Sequence, residues 1–568
     1  LTPAEGGGSF AAQLQEETLR LPSALLTLSL LAAQALAAEE PVDLEMVTRI
    51  RQEGFKNSRV MEIASALTDL IGPRLTGSPN MKKANEWTRA RLAEWGLVNA
   101  HLEKWGPFGR GWTYDSASVR LLSPTTASLV AIPKAWTPGT DGPVAADAVK
   151  VKLESKEDLE KHKGKLAGKI VLLGEPKEVK PQTKAALERY DEKGLHEIFR
   201  FESGSGRYSP AVREEYAKRR AFRKPLAEFL AAEKVLAVIE PGTGGDGGTF
   251  DVGGSGWYKK GDPVVPTVVM AVEHYGRIAR LLDQKKDVKL ELDVKARYHD
   301  EDAMGYNTIA EIPGTDKKGE AVMLGAHMDS WHAGTGATDN AAGVAAMMEA
   351  VRILKTLDVR PRRTIRIALW SGEEQGLLGS RAYVRDHLAS RPEPKDPAQQ
   401  ELPSFLRKPT GPLTVKPEHA KFSVYFNMDN GTGRIRGIYA QENAAVVPIF
   451  ETWLKPLADL GATTVTMRNT MGTDHTSFDA VGLPGFQFIQ DDVEYSARSH
   501  HSNADVYERL QREDLIQASI VIATFVYHTA MRDRLLPRKP MPKEETPKSE
   551  EPPSKEEPAR PTALAKGR

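Results

Sequence analysis

The spacing of apolar positions changes twice along the chain, and each change marks a different kind of structure. From 43 to 104 apolar residues recur at helical spacing in VMEIASALTDLI and again in ANEWTRARLAEWGL, where Gly96 is the expected stop. Pro73, Gly77 and Pro79 punctuate the loop IGPRLTGSPN between them. From about 115 to 300 short β-like runs (SASVRLL, KIVLLGE, VLAVIEP, TVVMAV, VKLELDVKARY) alternate with Gly- and Pro-containing turns. A helix-prone, highly charged insertion interrupts them between 175 and 234; charge runs of this kind are solvated helix faces, and no chemistry is assigned to it. From Gly305 onward strands and helices alternate: YNTIAEI, AVMLGAH, a helix over 341–356, TIRIALW, FSVYFNMD, PGFQFIQ and a closing helix over 511–531. This order predicts an α/β fold with a mostly parallel central sheet, helices on both faces, and an inserted β-rich domain.

The two ends read differently. Arg20, the apolar run LPSALLTLSLLAAQALA and the A-x-A-like Ala35-Leu36-Ala37 follow the order of a secretory signal, the alternatives being an apolar first helix of the folded domain and an uncleaved anchor. The expected organisation is therefore a signal at 1–37, an N-terminal helical part of the main domain at 38–114, the β-rich domain at 115–300, the main domain at 301–535 and a tail at 536–568 rich in Pro, Glu and Lys that cannot bury enough surface to fold. No other stretch approaches membrane-spanning length in this reading, so a secreted or periplasmic protein, free of the membrane after signal cleavage, is expected.

Composition narrows the chemistry. Lys plus Arg and Asp plus Glu are 77 each, giving zero net charge and no footprint for nucleic acid. With no cysteine, disulfides, thiolate metal sites and cysteine nucleophiles are excluded, and any metal must be held by His, Asp and Glu. The Gly-rich run GTGGDGGTFDVGGSGW (242–257) has neither a phosphate-loop ending nor dinucleotide spacing, and reads as a flexible surface loop.

Open parallel sheets carry their sites at the C-terminal ends of strands. There the chain places His327, then Glu373 and Glu374, then Asp429; Asp339 opens the helix after the first of these strands, and His501 lies in the loop before the closing helix. Singly, each has a plain structural reading: a core histidine, first-turn helix carboxylates, a turn residue. Together they suggest a dinuclear hydrolytic centre, which needs terminal ligands on each ion, a bridging carboxylate, and a hydroxide formed near neutrality between the cations. Imidazole and carboxylate ligands suit zinc. A carboxylate outside the ligand set must accept and return a proton, and two adjacent glutamates divide those roles. Asp329, two residues past His327, is placed to orient that imidazole.

The segments HMDSW, GTGATDNAAG, WSGEEQGLLGS, FNMDN and HHSNAD, in this order, resemble the zinc aminopeptidase family, whose other members include plasma glutamate carboxypeptidase, glutamate carboxypeptidase II, glutaminyl cyclase and the transferrin receptor. The resemblance covers about 305–530; GPRLTGSPN looks like the family's N-terminal portion, and the β-rich middle is similar to a protease-associated domain, from whose usual form the charged insertion departs. It implies two zinc ions, one held by His327 and Asp429, the other by Glu374 and His501, with Asp339 bridging. Glu373 would be the general base and acid, and Asp329 would support His327. The family pattern selects the second histidine of HHS, leaving His500 to line the site and Asp505 to support His501. His332 stands where relatives often carry Asp, a change expected to alter the pocket without removing a ligand. In GTDHTSF, Asp474 and His475 would contact substrate. The implied activity is that of a secreted two-zinc exopeptidase acting on peptide or dipeptide substrates, first of all an aminopeptidase. Its alternatives are a dipeptidase or carboxypeptidase-like relative and, from another class, a non-catalytic receptor-like binding protein. A one-zinc cyclotransferase is disfavoured by the complete ligand set, and oligomeric state is left open.

Overall fold

The computed structural model describes residues 40–540, apart from 202–209, 257, 401, 403–406, 408 and 409. The expected signal and the tail beyond 540 lie outside the described residues. From Asp43 onward the chain is one unit, built on two eight-stranded sheets.

The first sheet runs in the order Val98–Trp105, Gly305–Ile312, Arg363–Trp370, Lys317–His327, Phe422–Asn427, Gly485–Gln490, Ile435–Tyr439, Thr464–Thr466. The four central strands, from Arg363–Trp370 to Gly485–Gln490, are mutually parallel, and antiparallel neighbours flank them. Val322, Met323, Leu324 and Ala326 are all wholly buried, so this central strand is covered on both faces, which is why it reads as a continuous apolar run. One cover is the helix Ala342–Thr356, buried without a break from Ala342 to Leu354; another is the closing helix Arg512–Met531. The closing helix is long and apolar enough to cross a membrane, contrary to the expectation that no further stretch is, but its apolar stretch is 94% buried and it serves as a core helix. The helix Leu44–Asn57 reaches it through Gly54, where a Cβ would stand 2.5 Å from Ile520 Cγ1.

The N-terminal part is not helical throughout. Helix Pro79–Glu94 opens with the Ser78 side chain accepting from Met81 N and ends as expected at Gly96, φ +82°, but Val98–Trp105 is a strand paired antiparallel with Gly305–Ile312. Nothing within that octapeptide fixes the state; the open edge of a sheet formed 200 residues later decides it.

The second sheet has the order Ala127–Leu129, Gly111–Ser123, Lys289–His299, Val144–Val151, Ile170–Leu173, Ala237–Pro241, Thr267–Met270, Ala131–Pro133. The chain enters by Gly111–Ser123 and leaves by Lys289–His299, which pair along their whole length. Two further expectations need correction. Helices Glu192–Phe199 and Pro210–Ala232 form in the charged insertion, but its first part packs on the first sheet: Arg189 is ion-paired with buried Asp491 and Asp514, and Thr466 Oγ1 donates to Ile198 O. The segment thus covers an edge strand that would otherwise be open. The chain after 535 also stays attached, with Leu536 buried, Arg538 donating to His419 O and Phe422 O, and Lys539 paired with Asp479.

Candidate metal centre

Each predicted ligand sits where backbone direction changes at the C-terminal edge of the parallel strands. His327 ends its strand, Glu373 and Glu374 follow Trp370 after the turn at Gly372 (φ +74°), and Asp429 lies two residues past Asn427. Asp339 occupies the short turn of non-helical backbone before helix Ala342–Thr356. His501 takes a left-handed conformation, φ +57°.

These five side chains converge. His327 Nε2 lies 3.1 Å from Asp429 Oδ1 and 3.2 Å from Asp339 Oδ1. His501 Nε2 lies 2.9 Å from Glu374 Oε2 and 3.3 Å from Asp339 Oδ2. The two oxygens of Asp339 therefore face two different cups, one made with His327 and Asp429, the other with His501 and Glu374. His500 stacks on His501, ring centroids 3.8 Å apart, but its Nε2 is 3.9 Å from Asp339 Oδ2, and its side chain is 47% exposed. Asp339, His500 and His501 together offer three ligand atoms within reach of one cation, and of the two histidines His501 lies nearer to Asp339.

The donor set fits divalent cations. Asp339, Glu374, Asp329, Asp474 and Asp505 are buried carboxylates within one cluster, and buried charge is costly unless paired or ligating. Buried Glu374 Oε1 has no hydrogen-bond partner. Burial pushes the Glu374 carboxyl up to about 7, opposed by His501, with Asp339 adding to the rise. Two cations would satisfy these groups with the oxygen and nitrogen ligands that zinc accepts.

Glu373 takes no part in either cup. Burial pushes its carboxyl well above the usual range, His327 opposes, and Asp429, Asp474 and Glu374 raise it further. The main chain of both glutamates is tied to Asp329: Glu373 N donates to its Oδ1 and Glu374 N to its Oδ2, each at 3.2 Å. Asp329 supports His327 somewhat differently from the expected carboxylate–imidazole bond. His327 Nδ1 is 3.0 Å from the Asp329 carbonyl oxygen and 3.7 Å from its Oδ1, because the carboxylate is turned toward the glutamate loop.

Two residues of the GPRLTGSPN loop complete this support and were not singled out by sequence. Thr76 Oγ1 donates to Asp329 Oδ2 at 2.9 Å. Arg74, wholly buried, donates to the carbonyls of Met328, Thr335 and Gly336 at 2.7–2.8 Å, holding both ends of the loop between His327 and Asp339. Burial pulls its guanidinium down to about 10, with Asp505, Asp329 and Asp339 opposing. The available signal was an arginine amid turn formers, which has no periodicity to betray it. Tyr495 was also missed: burial pushes its phenol well up, and Asp339, Asp429 and Glu374 add to the rise, so it shares the field of the cluster.

Other expectations are revised by the geometry. Asp505 does not support His501; it accepts from Thr338 N, Thr338 Oγ1 and Asp339 N, fixing the backbone of the bridging residue. His332 does not shape a pocket over the ligands. It is buried edge-on against Trp112, its Nε2 2.7 Å from Pro133 O, joining the loop to the second sheet, and burial lowers its imidazole to about 4. Asp474 stands close enough to act on the charge of Glu373 and His475 close enough to feel that of Asp429; both are wholly buried, and His475 Nε2 lies 3.1 Å from Thr470 O. The Gly-rich run is not a free surface loop. Phe250 and Val252 are buried, Val252 N donates to His501 O at 3.0 Å, and Gly254 packs so closely that a Cβ would stand 2.5 Å from Trp136 and 3.2 Å from Trp331.

Residues 307–526 match the model of Peptidase family M28. Carboxypeptidase Q of Bos taurus is 27% identical over 488 residues, covering 85% of this chain and 88% of its own length. The crystal structure of a peptidase M28 precursor from Shewanella amazonensis superimposes with a TM-score of 0.60 at 25% identity, over 88% of this chain and 99% of that one. A zinc aminopeptidase from Bacillus subtilis shares the fold, with a TM-score of 0.53 at 19% identity over 87% and 97% of the two chains.

Proposed function

From the match of residues 307–526 to peptidase family M28 we propose that this chain is a metal-dependent exopeptidase that holds two zinc ions and acts as an aminopeptidase. The observation that carries the two-ion reading is the Asp339 carboxylate, whose Oδ1 lies in one group with His327 and Asp429 while its Oδ2 lies against His501, itself 2.9 Å from Glu374 Oε2. Ions bound there would polarise the scissile carbonyl and lower the pKa of a water. The remaining steps belong to the chain. The Glu373 carboxylate takes a proton from the attacking water and returns it to the leaving nitrogen. Asp329 holds Glu373 and Glu374 in place through their backbone N–H groups, while the Asp339 backbone is fixed by Asp505.

The aminopeptidase mode is supported by the sign of the charges around the centre. Glu373, Glu374 and Asp339 lie among histidines and further carboxylates, and among the described residues the one arginine whose charge this cluster is shown to feel, Arg74, is wholly buried with its donors committed to the carbonyls of Met328, Thr335 and Gly336. Such surroundings favour a substrate ammonium over a terminal carboxylate, which a carboxypeptidase-like or dipeptidase mode would have to bind. The same complete ligand set speaks against a non-catalytic receptor-like role. Secretion follows from the N-terminal signal reading and accords with the precursor status of the Shewanella relative.

Two measurements test this. Zinc per chain should be two, and a strong chelator should abolish hydrolysis that zinc then restores; activity indifferent to chelation rejects the metal mechanism. Dipeptides and aminoacyl chromogenic substrates should be cleaved, and N-acetylation should abolish cleavage. Undiminished turnover of the acetylated substrates rejects the aminopeptidase mode.

A further inference from the structure

The two cups are mounted differently. His327 ends a strand with neighbours on both sides in the first sheet. His501 lies on a loop, 491–503, which is held partly by Thr338, Arg434 and Arg436 and partly by anchors from the middle region of the chain. Phe250 N donates to Asn503 Oδ1 and Asn503 Nδ2 to Gly248 O, each at 2.9 Å. Asn503 N donates to Phe250 O at 3.2 Å and Val252 N to His501 O at 3.0 Å, making Asp251 and Ser502 antiparallel bridge partners. At the root of the same loop, Arg189 Nη1 lies 3.1 Å from Asp491 Oδ2, Tyr190 N donates to Asp491 Oδ1 at 2.9 Å, and Val493 N donates to Glu188 O at 3.0 Å. Both the Gly-rich run and the charged insertion, neither of which the hydrolytic chemistry uses, therefore end on one loop.

A ligand in left-handed backbone on a loop binds well only if the loop is ordered beforehand, since the ordering entropy is otherwise subtracted from the binding free energy. We propose that residues 188–190 and 248–252 act as a positioning element for the His501–Glu374 cup, setting the affinity of that cup for its divalent cation and leaving the His327–Asp429 cup unaffected. Asn503 and Arg189 are its positioning residues. The proposal rests on the two-cup reading above.

The test is zinc binding to the full chain, measured by competition with a chromophoric chelator. Wild type must first bind two zinc ions; fewer would overturn the two-cup reading itself, before any variant is compared. Asn503→Ala is then placed in two backgrounds, His327→Ala, which leaves the His501 cup, and His501→Ala, which leaves the His327 cup. In the first, zinc affinity should fall about tenfold or more, the scale on which groups behind a ligand act; in the second it should stay within about twofold. Arg189→Met in the same backgrounds is an independent handle that survives a failure of Asn503→Ala to fold. Selective weakening in either variant supports the proposal. Equal weakening in both backgrounds, or none in either, overturns it.

Discussion

The support of the glutamate loop makes a sharp prediction for Thr76→Val. Thr76 Oγ1 and Asp329 Oδ2 are 2.9 Å apart and both residues are wholly buried. Valine keeps the shape of threonine and replaces the hydroxyl with a methyl, so the substitution deletes one donor to a carboxylate. Glu373 N and Glu374 N remain as its donors. A hydrogen bond to a charged group contributes about 1.5–3 kcal/mol, and the lost donor cannot be replaced by water in a buried position. The carboxylate it steadies accepts from the backbone of Glu373 and Glu374, to which the proposed function gives proton transfer and metal binding. Felt in the transition state, at about 1.4 kcal/mol per tenfold, the loss lowers kcat/KM by about 10- to 100-fold. The assay is steady-state hydrolysis of an aminoacyl p-nitroanilide at saturating zinc, with Thr76→Ser as control. Serine retains the hydroxyl and should recover activity to within about threefold of wild type. A Thr76→Val enzyme within about twofold of wild type, or a serine variant as slow as valine, refutes the reasoning.

Glu373→Gln should keep both zinc ions, since Glu373 stands outside the cups, while kcat falls by about 10²–10⁴-fold; near-wild-type turnover by stopped assay, or loss of metal by elemental analysis, would remove it from the proton-transfer role. Arg74→Lys retains the charge but replaces a planar fork of donors with a single ammonium. Three carbonyls, those of Met328, Thr335 and Gly336, depend on that fork, and each buried acceptor left alone costs about 1–3 kcal/mol. The melting temperature should fall by several degrees in a calorimetric scan, and an unchanged melt would mean the loop is held by other contacts.

The alternating strands and helices after Gly305 were legible because the strands are short, mostly apolar runs and the helices Ala342–Thr356 and Arg512–Met531 are longer ones, so local pattern and tertiary state agree. The convergence of the candidate ligands was legible for a related reason: parallel sheets put polar side chains at strand ends, and His327, Glu374 and Asp429 occupy such ends. The strand Val98–Trp105 was not, since its partner lies in Gly305–Ile312. Nor were Arg74 and Thr76, whose acceptors lie more than 250 residues away in sequence.

The amino-acid sequence by itself determined the kinds of donor available, the absence of thiols, the element types of the sheet domain and the positions of the cup residues along it. Tertiary structure alone decided which oxygen of Asp339 faces which cup, that Asp505 steadies Asp339 and not His501, that His332 is buried against Trp112 and Pro133 of the second sheet, and that the Gly-rich run and the charged insertion both come to rest on the His501 loop. The division has a physical cause. Residue type and periodicity act over one or two turns of chain, whereas orientation and partnership at a site are set by packing between segments hundreds of residues apart, and no local pattern encodes which of several carboxylates a folded chain brings to a given amide.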